Sequence, residues 1–94
     1  MAKVVQTDVA REEIRELVRR LWGLNRVAAK KLAESLTTRF RQLETSPKLG
    51  RERPDFGEGI RSLVVGSYIA IYHATDQVVT ILRVVHGARD LKAI

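Results

Sequence analysis

The sequence predicts an α+β fold, in which an N-terminal strand and an antiparallel helical hairpin pack on one face of a mainly antiparallel sheet, in the order β-α-α-β-β-β. Apolar residues recur at helical spacing through the first half of the chain, whereas the second half contains three strand candidates, rich in β-branched and aromatic residues and separated by short turns. The 94 residues suffice for one hydrophobic core. We therefore expect residues 1–94 to form a single domain, with one sheet face left without a helical cover.

The N-terminal half begins with a short apolar run, Lys3–Gln6, which predicts one strand. Thr7 follows it and can cap the first helix with its side-chain oxygen. Gly23 can end that helix in a left-handed conformation, and Asn25 can cap a second helix that runs from about Arg26 to Glu44. The first helix presents one apolar stripe, made of Ala10, Ile14, Leu17, Val18 and Leu21.

The C-terminal half begins with a segment rich in Gly, Pro and charge, Pro47–Gly59, which shows neither a helical nor a strand period and predicts a loop. Three strands are predicted after it, over Ile60–Val65, Tyr68–Ala74 and Val78–Val85. Gly66 and Ser67 make a plausible two-residue turn. Because all the connections are short, these strands should form an antiparallel meander.

Composition excludes several classes of site. The chain has no Cys and only two His, which excludes disulfides and thiolate ligands and argues against an all-protein zinc site. It also lacks a glycine-rich phosphate-binding loop and the common hydrolase motifs, so we expect no metal and no cofactor. No apolar run approaches the roughly 20 residues of a membrane span, and the N-terminus lacks a signal peptide's apolar stretch, so we expect a cytoplasmic protein without a membrane partner. The net charge of +6 favours an anionic partner.

Two arginines in the sheet half need an explanation. Arg61 opens the first strand of the meander, and Arg83 lies inside its most β-branched strand. Since burying an unpaired charge is costly, three arrangements are open. Arg83 pairs with a carboxylate such as Asp90, lies exposed on the uncovered face, or forms a cationic patch there with Arg61. His86 and His73 end neighbouring strands, where a surface or capping role is usual.

Three aromatic residues are candidates for packing or for binding. Tyr68 and Tyr72 share one face of their strand by the two-residue period, and residues so placed more often pack than stack on bases. Trp22 lies between the two predicted helices. We expect it to belong to the core or to be partly covered by the sheet.

Two segments of the second half carry a family resemblance. Gly59–Tyr72 reads GIRSLVVGSYIAIY and Val78–Asp90 reads VVTILRVVHGARD. Together they resemble the second half of the RelE/ParE toxin superfamily, and the ending I-L-R-V-x-H-G-A-R-D is similar to the ParE branch in particular. The resemblance extends over nearly the whole chain. The helical half adds shorter matches, at Asn25, Ala28-Ala29, Ser46-Pro47 and Gly50-Arg51.

The resemblance implies a toxin of a type II toxin–antitoxin module with the RelE/ParE-like fold. ParE-type members poison DNA gyrase and block replication, whereas RelE-type members cut mRNA on the ribosome; because both share one fold, the fold does not choose between them. The expected partners are a cognate antitoxin, ParD-like or other, and DNA gyrase. Direct nucleic-acid binding is allowed but not required. A non-toxic interaction module and a DNA-binding repressor are further alternatives, although no helix presents an obvious set of base-reading side chains.

Candidate residues follow from this interpretation. Ribonuclease action needs a base, an acid and cations around the scissile phosphate, and RelE-like toxins meet this with Lys, Arg and a late Tyr. No Tyr follows Tyr72 here, which favours ParE and an absence of catalytic residues. If the protein is a nuclease, the catalytic set is Arg61, Arg83 and His86. The expected target-binding set is Arg61, Tyr72, Arg83, His86 and Arg89.

Overall fold

The computed structural model describes residues 1–87 and residue 90. Its five-stranded sheet has the order β1-β5-β4-β3-β2; β1 runs parallel to β5, and the other neighbours are antiparallel. The α+β prediction is confirmed, including the helical hairpin between the first strand and the meander. The elements are β1 (Lys3–Gln6), α1 (Asp8–Leu24), α2 (Arg26–Thr45), β2 (Arg51–Glu52), β3 (Ile60–Val65), β4 (Tyr68–Ala74) and β5 (Val78–His86).

Side-chain caps define the ends of the hairpin helices. The hydroxyl oxygen of Thr7 accepts a hydrogen bond from the Ala10 amide at 3.0 Å, as its sequence position predicts. Asn25 serves both helices, since its backbone N–H bonds the last turn of α1 and its side chain accepts from the Ala28 amide at 3.0 Å. The prediction that Gly23 ends α1 in a left-handed conformation is wrong. The helix continues through Leu24, and the extended backbone of Asn25 ends it without a left-handed residue.

The meander follows the predicted boundaries closely, with β5 extending one residue further to His86. Gly66 opens the β3–β4 turn at φ 61°, a left-handed value that glycine adopts without steric cost. The loop prediction for Pro47–Gly59 is wrong at one point. Arg51–Glu52 forms a short strand paired antiparallel with β3, and two residues are too few to show a sequence period.

The hydrophobic core lies between the hairpin and one face of the sheet. The opposite face has no helix in the described residues, but two of its side chains are nevertheless buried. Strand alternation places Ile71 and Val85 on that face, and they are only 3% and 4% exposed. No helix in the described part of the chain is long and apolar enough to cross a membrane. The main core cluster includes Leu32, Leu36, Phe40, Leu43, Leu63, Val65, Tyr72, Val79, Ile81 and Val84.

Candidate target-binding surface

The C-terminal half of β5 lies beside α1 rather than beside a strand. β1 ends where Gln6 pairs with Ile81, so the following β5 backbone loses its strand neighbour on that side. The side chain of Glu13, on α1, instead bonds β5 there. It accepts hydrogen bonds from Arg83 Nε at 2.9 and 3.0 Å and from Nη2 at 2.8 Å, and a fourth from the Val84 amide at 3.1 Å. We call Glu13, Arg83 and the Val84 amide the edge clamp.

Thr7, which precedes α1, also bonds the backbone of β5 on this side. Its backbone N–H donates to the Ile81 carbonyl at 3.0 Å, and its hydroxyl donates to the Leu82 carbonyl at 3.2 Å. The residue that caps α1 therefore also binds β5. The start of α1 in this way supplies hydrogen-bond partners that a longer β1 would otherwise provide.

The edge clamp corrects the expected partner of Arg83. The carboxylate is Glu13, not Asp90; Asp90 instead accepts from the His86 backbone N–H at 3.3 Å. The hydrogen bonds that Arg83 donates to the Glu13 carboxylate raise the pKa of Arg83 above its ordinary value, so the guanidinium stays charged. The Arg83 side chain is 39% exposed, against 22% for Glu13. The arginine therefore remains accessible to a partner while its carboxylate is largely covered.

A groove of about 460 Å³ lies beside the edge clamp, between α1 and β5. Among the described residues that line it, carboxylates outnumber arginines, although the whole chain carries a net charge of +6. Because like charges repel at short range, this setting does not favour a phosphate at Arg83. The charged lining residues are Glu12, Glu13, Glu16, Asp90, Arg20 and Arg83.

Arg61 lies two strands away and binds the loop before β2. Its Nη1 donates to the carbonyl oxygens of Lys48 at 3.1 Å and Gly50 at 2.8 Å, and its Nη2 pairs with Glu52 at 3.1 Å. The Arg61 side chain is only 15% exposed. Its donors are therefore largely committed to folding this loop against β3.

Tyr72 binds the same loop from β4. Its side chain has no exposed surface, and its hydroxyl donates to the Pro47 carbonyl at 2.9 Å while accepting from the Gly50 amide at 2.8 Å. A Cβ on Gly50 would lie 2.7 Å from both this hydroxyl and the Ser62 carbonyl oxygen, so only glycine fits. We call Arg61, Tyr72 and Gly50 the loop anchor. Because the Tyr72 side chain is buried and both hydrogen bonds of its hydroxyl go to the loop, its position supports a structural role rather than a direct contact with a target.

His86 ends β5 next to Tyr68, as the sheet register requires. Their rings meet edge to face, with centroids 5.6 Å apart. Arg83 pairs with Ile71, three residues from Tyr68 along β4, so Arg83 and His86 lie on opposite pleats. Arg89, the remaining predicted site residue, lies outside the described residues.

The structure does not bring together the predicted site residues that it describes. Arg61 and Arg83 form no common patch, since β4 separates their strands and each binds a carboxylate on a different element. Sequence reasoning missed Glu13, but a signal was available. Glu13 is spaced three residues after Ala10 and four before Leu17 on the apolar stripe of α1. A carboxylate on a core-facing stripe and an arginine inside an apolar strand each need a partner.

Trp22 is also placed differently from expectation. Its side chain is not in the core but 42% exposed, and the indole is covered by cations of α2 rather than by the sheet. The Arg26 guanidinium lies 5.2 Å and the Lys30 ammonium 5.9 Å from the ring centroid. The end of the helical hairpin thus carries an exposed aromatic and cationic surface.

Comparisons with known proteins agree on one family. The family model described as ParE toxin of type II toxin–antitoxin system, parDE, matches residues 4–91. Toxin ParE3 of Caulobacter vibrioides is 35% identical over 54 residues, which cover 57% of this chain and 54% of that protein, so the chain spans about half the length of this curated relative. The solved chromosomal ParDE TA system from P. aeruginosa matches with a TM-score of 0.74 at 19% identity, covering 92% of this chain and 96% of that chain. That likeness is one of fold.

Proposed function

The chain belongs to the ParE toxin family of type II toxin–antitoxin systems, and we propose that it poisons DNA gyrase, holds the enzyme on cleaved DNA and so blocks replication. On this proposal residues 1–94 form one toxin domain, which a cognate antitoxin neutralises. The activity is one of binding rather than of catalysis by the toxin itself. The alternative within the same superfamily is a ribosome-dependent mRNA endonuclease.

One observation supports gyrase over the nuclease alternative: in the described residues, the two arginines of the candidate catalytic set pair with different carboxylates on different elements. Arg61 pairs with Glu52 in the loop anchor, and Arg83 pairs with Glu13 beside a groove rich in carboxylates. Phosphoryl transfer in RNA instead needs cations that converge on one developing negative charge. His86 lies on the opposite pleat from Arg83 and is badly placed to act with it as a base.

We assign the target contact to the end of β5. Arg83 is the better candidate of the two sheet arginines, because its side chain is the more exposed and it is held by one carboxylate only. His86 and Arg89 stay in the proposed target-binding set because they follow Arg83 closely in the chain, although His86 lies on the opposite pleat from Arg83. Arg61 and Tyr72 support the surface indirectly by folding the loop before β2.

We propose that the antitoxin has a negatively charged tail that covers part of the toxin. A net charge of +6 favours such a partner, and a disordered tail that folds on binding can wrap a large surface. Titration calorimetry with the protein encoded beside this one should give tight binding that weakens with added salt. Absence of binding at low salt would contradict this assignment.

The gyrase proposal is tested with purified components. The toxin is mixed with gyrase, ATP and supercoiled plasmid, and protein is removed by denaturation before electrophoresis. We expect linear DNA to accumulate with toxin and not with toxin pre-mixed with antitoxin. A parallel toeprinting reaction on translating ribosomes should show no new mRNA ends. Codon-specific cuts without any effect on gyrase would replace this proposal with the endonuclease alternative.

A further inference from the structure

The start of α2 differs in its charge pairing from α1, the other helix of the hairpin. Within α1, each of the four arginines lies within ion-pair distance of an acidic residue three or four positions earlier: Arg11 with Asp8, Arg15 with Glu12, and both Arg19 and Arg20 with Glu16. Such pairs leave little net charge on the exposed face of α1.

The first turns of α2 show the opposite pattern. Arg26, Lys30 and Lys31 are all exposed, and within the described residues none of them makes an ion pair. The first turn of α2 holds no acidic residue. Cations near a helix N-terminus are unfavourable for the helix itself. Arg26 lies in this first turn, so its charge costs some helix stability, and residues that break a local rule in this way are expected at functional sites.

Trp22 orders this surface, since Arg26 and Lys30 both lie over its ring. Two apolar side chains beside it are also exposed, Leu24 at 82% and Val27 at 76%. We call Trp22, Arg26, Lys30 and Lys31 the basic tip. It combines cations held in place, an aromatic face and exposed apolar groups.

We propose that the basic tip binds the phosphate backbone of double-stranded DNA. This inference rests on the proposed function, because a gyrase poison acts where the enzyme holds cleaved DNA. Arg26 and Lys30 stand four residues apart on one helix face, which suits two neighbouring phosphates of one strand. Leu24 and Val27 are placed to contact sugars or bases exposed at a distorted step. Binding of this kind reads charge and shape rather than base sequence.

The test compares two variants of equal charge. The tip variant carries Arg26→Gln, Lys30→Gln and Lys31→Gln. Its matched control carries Arg11→Gln, Arg15→Gln and Arg19→Gln, which removes the same three charges from the paired face of α1. All six positions are exposed. Thermal melts confirm that both variants fold, so that any difference between them reports on position rather than on net charge.

Binding is measured by anisotropy of a labelled mixed-sequence duplex over a series of salt concentrations. We expect the slope of log affinity against log salt to be shallower by about 2 to 3 for the tip variant, which is the change for three lost phosphate contacts. Its binding at low salt should be roughly tenfold weaker. The control should keep the slope of the unsubstituted protein. Equal slopes and affinities for the two variants would overturn the proposal.

Trp22 is the one tryptophan of the chain, so its fluorescence reports on the basic tip directly. Its emission should change on titration with duplex DNA. A change with anionic lipid vesicles but not with DNA would overturn the proposal in favour of a membrane surface. Loss of antitoxin binding by the tip variant, with DNA binding unchanged, would overturn it in favour of an antitoxin contact.

The gyrase reaction separates failure of this inference from failure of the proposed function. If the unsubstituted toxin accumulates no cleaved DNA, the gyrase proposal fails, while the DNA titrations still decide the role of the tip. If the unsubstituted toxin and both variants accumulate cleaved DNA equally at every salt concentration, the gyrase proposal stands and the DNA contact is overturned. The expected result is a selective loss of cleaved DNA with the tip variant.

Discussion

The loop anchor and the edge clamp each contain an arginine in a largely apolar strand, but they use it differently. Arg61 donates to two backbone carbonyls and to Glu52, and its side chain is 15% exposed. Arg83 gives its Nε and Nη2 to one carboxylate, Glu13, and its side chain is 39% exposed. One arginine closes a loop, whereas the other remains open to a partner.

The acceptors explain the difference. Backbone carbonyls near a sheet edge need donors whatever the protein does, so an arginine that serves them is a folding element. A carboxylate that faces an arginine fixes the direction of the guanidinium and keeps it charged. In the described residues Nη1 of Arg83 makes no hydrogen bond. The edge clamp can therefore combine a structural role with recognition, and the predictions below separate the two.

The largest effect should come from Gly50→Ala in the loop anchor. The new Cβ would lie 2.7 Å from the Ser62 carbonyl oxygen, which cannot move without disturbing β3. We expect a loss of about 3 kcal/mol in the free energy of unfolding, the upper range for overpacking. Gly23→Ala is the matched control, since nothing lies within 4 Å of its Cβ position and the residue is helical. It should stabilise by about 0.5–1 kcal/mol in chemical denaturation.

The second effect distinguishes the two arginines by activity. Arg83→Ala should destabilise the fold by about 1–3 kcal/mol, because Glu13 loses its partner. It should also reduce gyrase poisoning at least about tenfold beyond the loss of folded protein, as for one charged contact of about 1.5 kcal/mol. Arg61→Ala should destabilise comparably, but its folded fraction should poison gyrase normally. Equal specific activities would remove the functional distinction.

The third effect isolates the charge of the clamp. Glu13→Gln keeps the side-chain length and an acceptor for the Val84 amide, but it removes the negative charge that pairs with Arg83. We expect about 1 kcal/mol of destabilisation and a clear loss of poisoning. A double-mutant cycle with Arg83→Ala should show strong coupling in both measurements. Additive effects on poisoning would mean that Glu13 supports the strand alone.

The same contrast shows what the sequence could predict. Strand boundaries followed from runs of β-branched and aromatic residues between short turns, and the caps at Thr7 and Asn25 followed from local chemistry. The partner of Arg83 did not, because Glu13 is 70 residues away and only the sheet order brings α1 to the edge of β5. The short strand β2 is defined by its backbone pairing with β3 and was equally hidden. Local signals therefore gave the elements but not the pairing of charges between them.

The smallest effect concerns the phenol of the loop anchor at alkaline pH. Burial raises the pKa of Tyr72 above its ordinary value of 10.0, although the Gly50 amide partly opposes this. Above about pH 10 the unfolded chain therefore loses this proton while the folded chain keeps it. Since the folded state then binds more protons, stability should fall as pH rises and stay unaffected by this group below that range.

Two phenylalanine variants test this decline. Tyr72→Phe should lower stability at neutral pH, because the Pro47 carbonyl and the Gly50 amide lose their partner, but it should remove the part of the alkaline decline that the phenol causes. Tyr68→Phe leaves the loop anchor intact and should keep that part. Urea denaturation of the three proteins from neutral pH to above pH 10 measures the difference directly. An identical decline in Tyr72→Phe and the unsubstituted protein would show that the anchor hydroxyl ionises equally well when folded, and so that the loop opens readily around it.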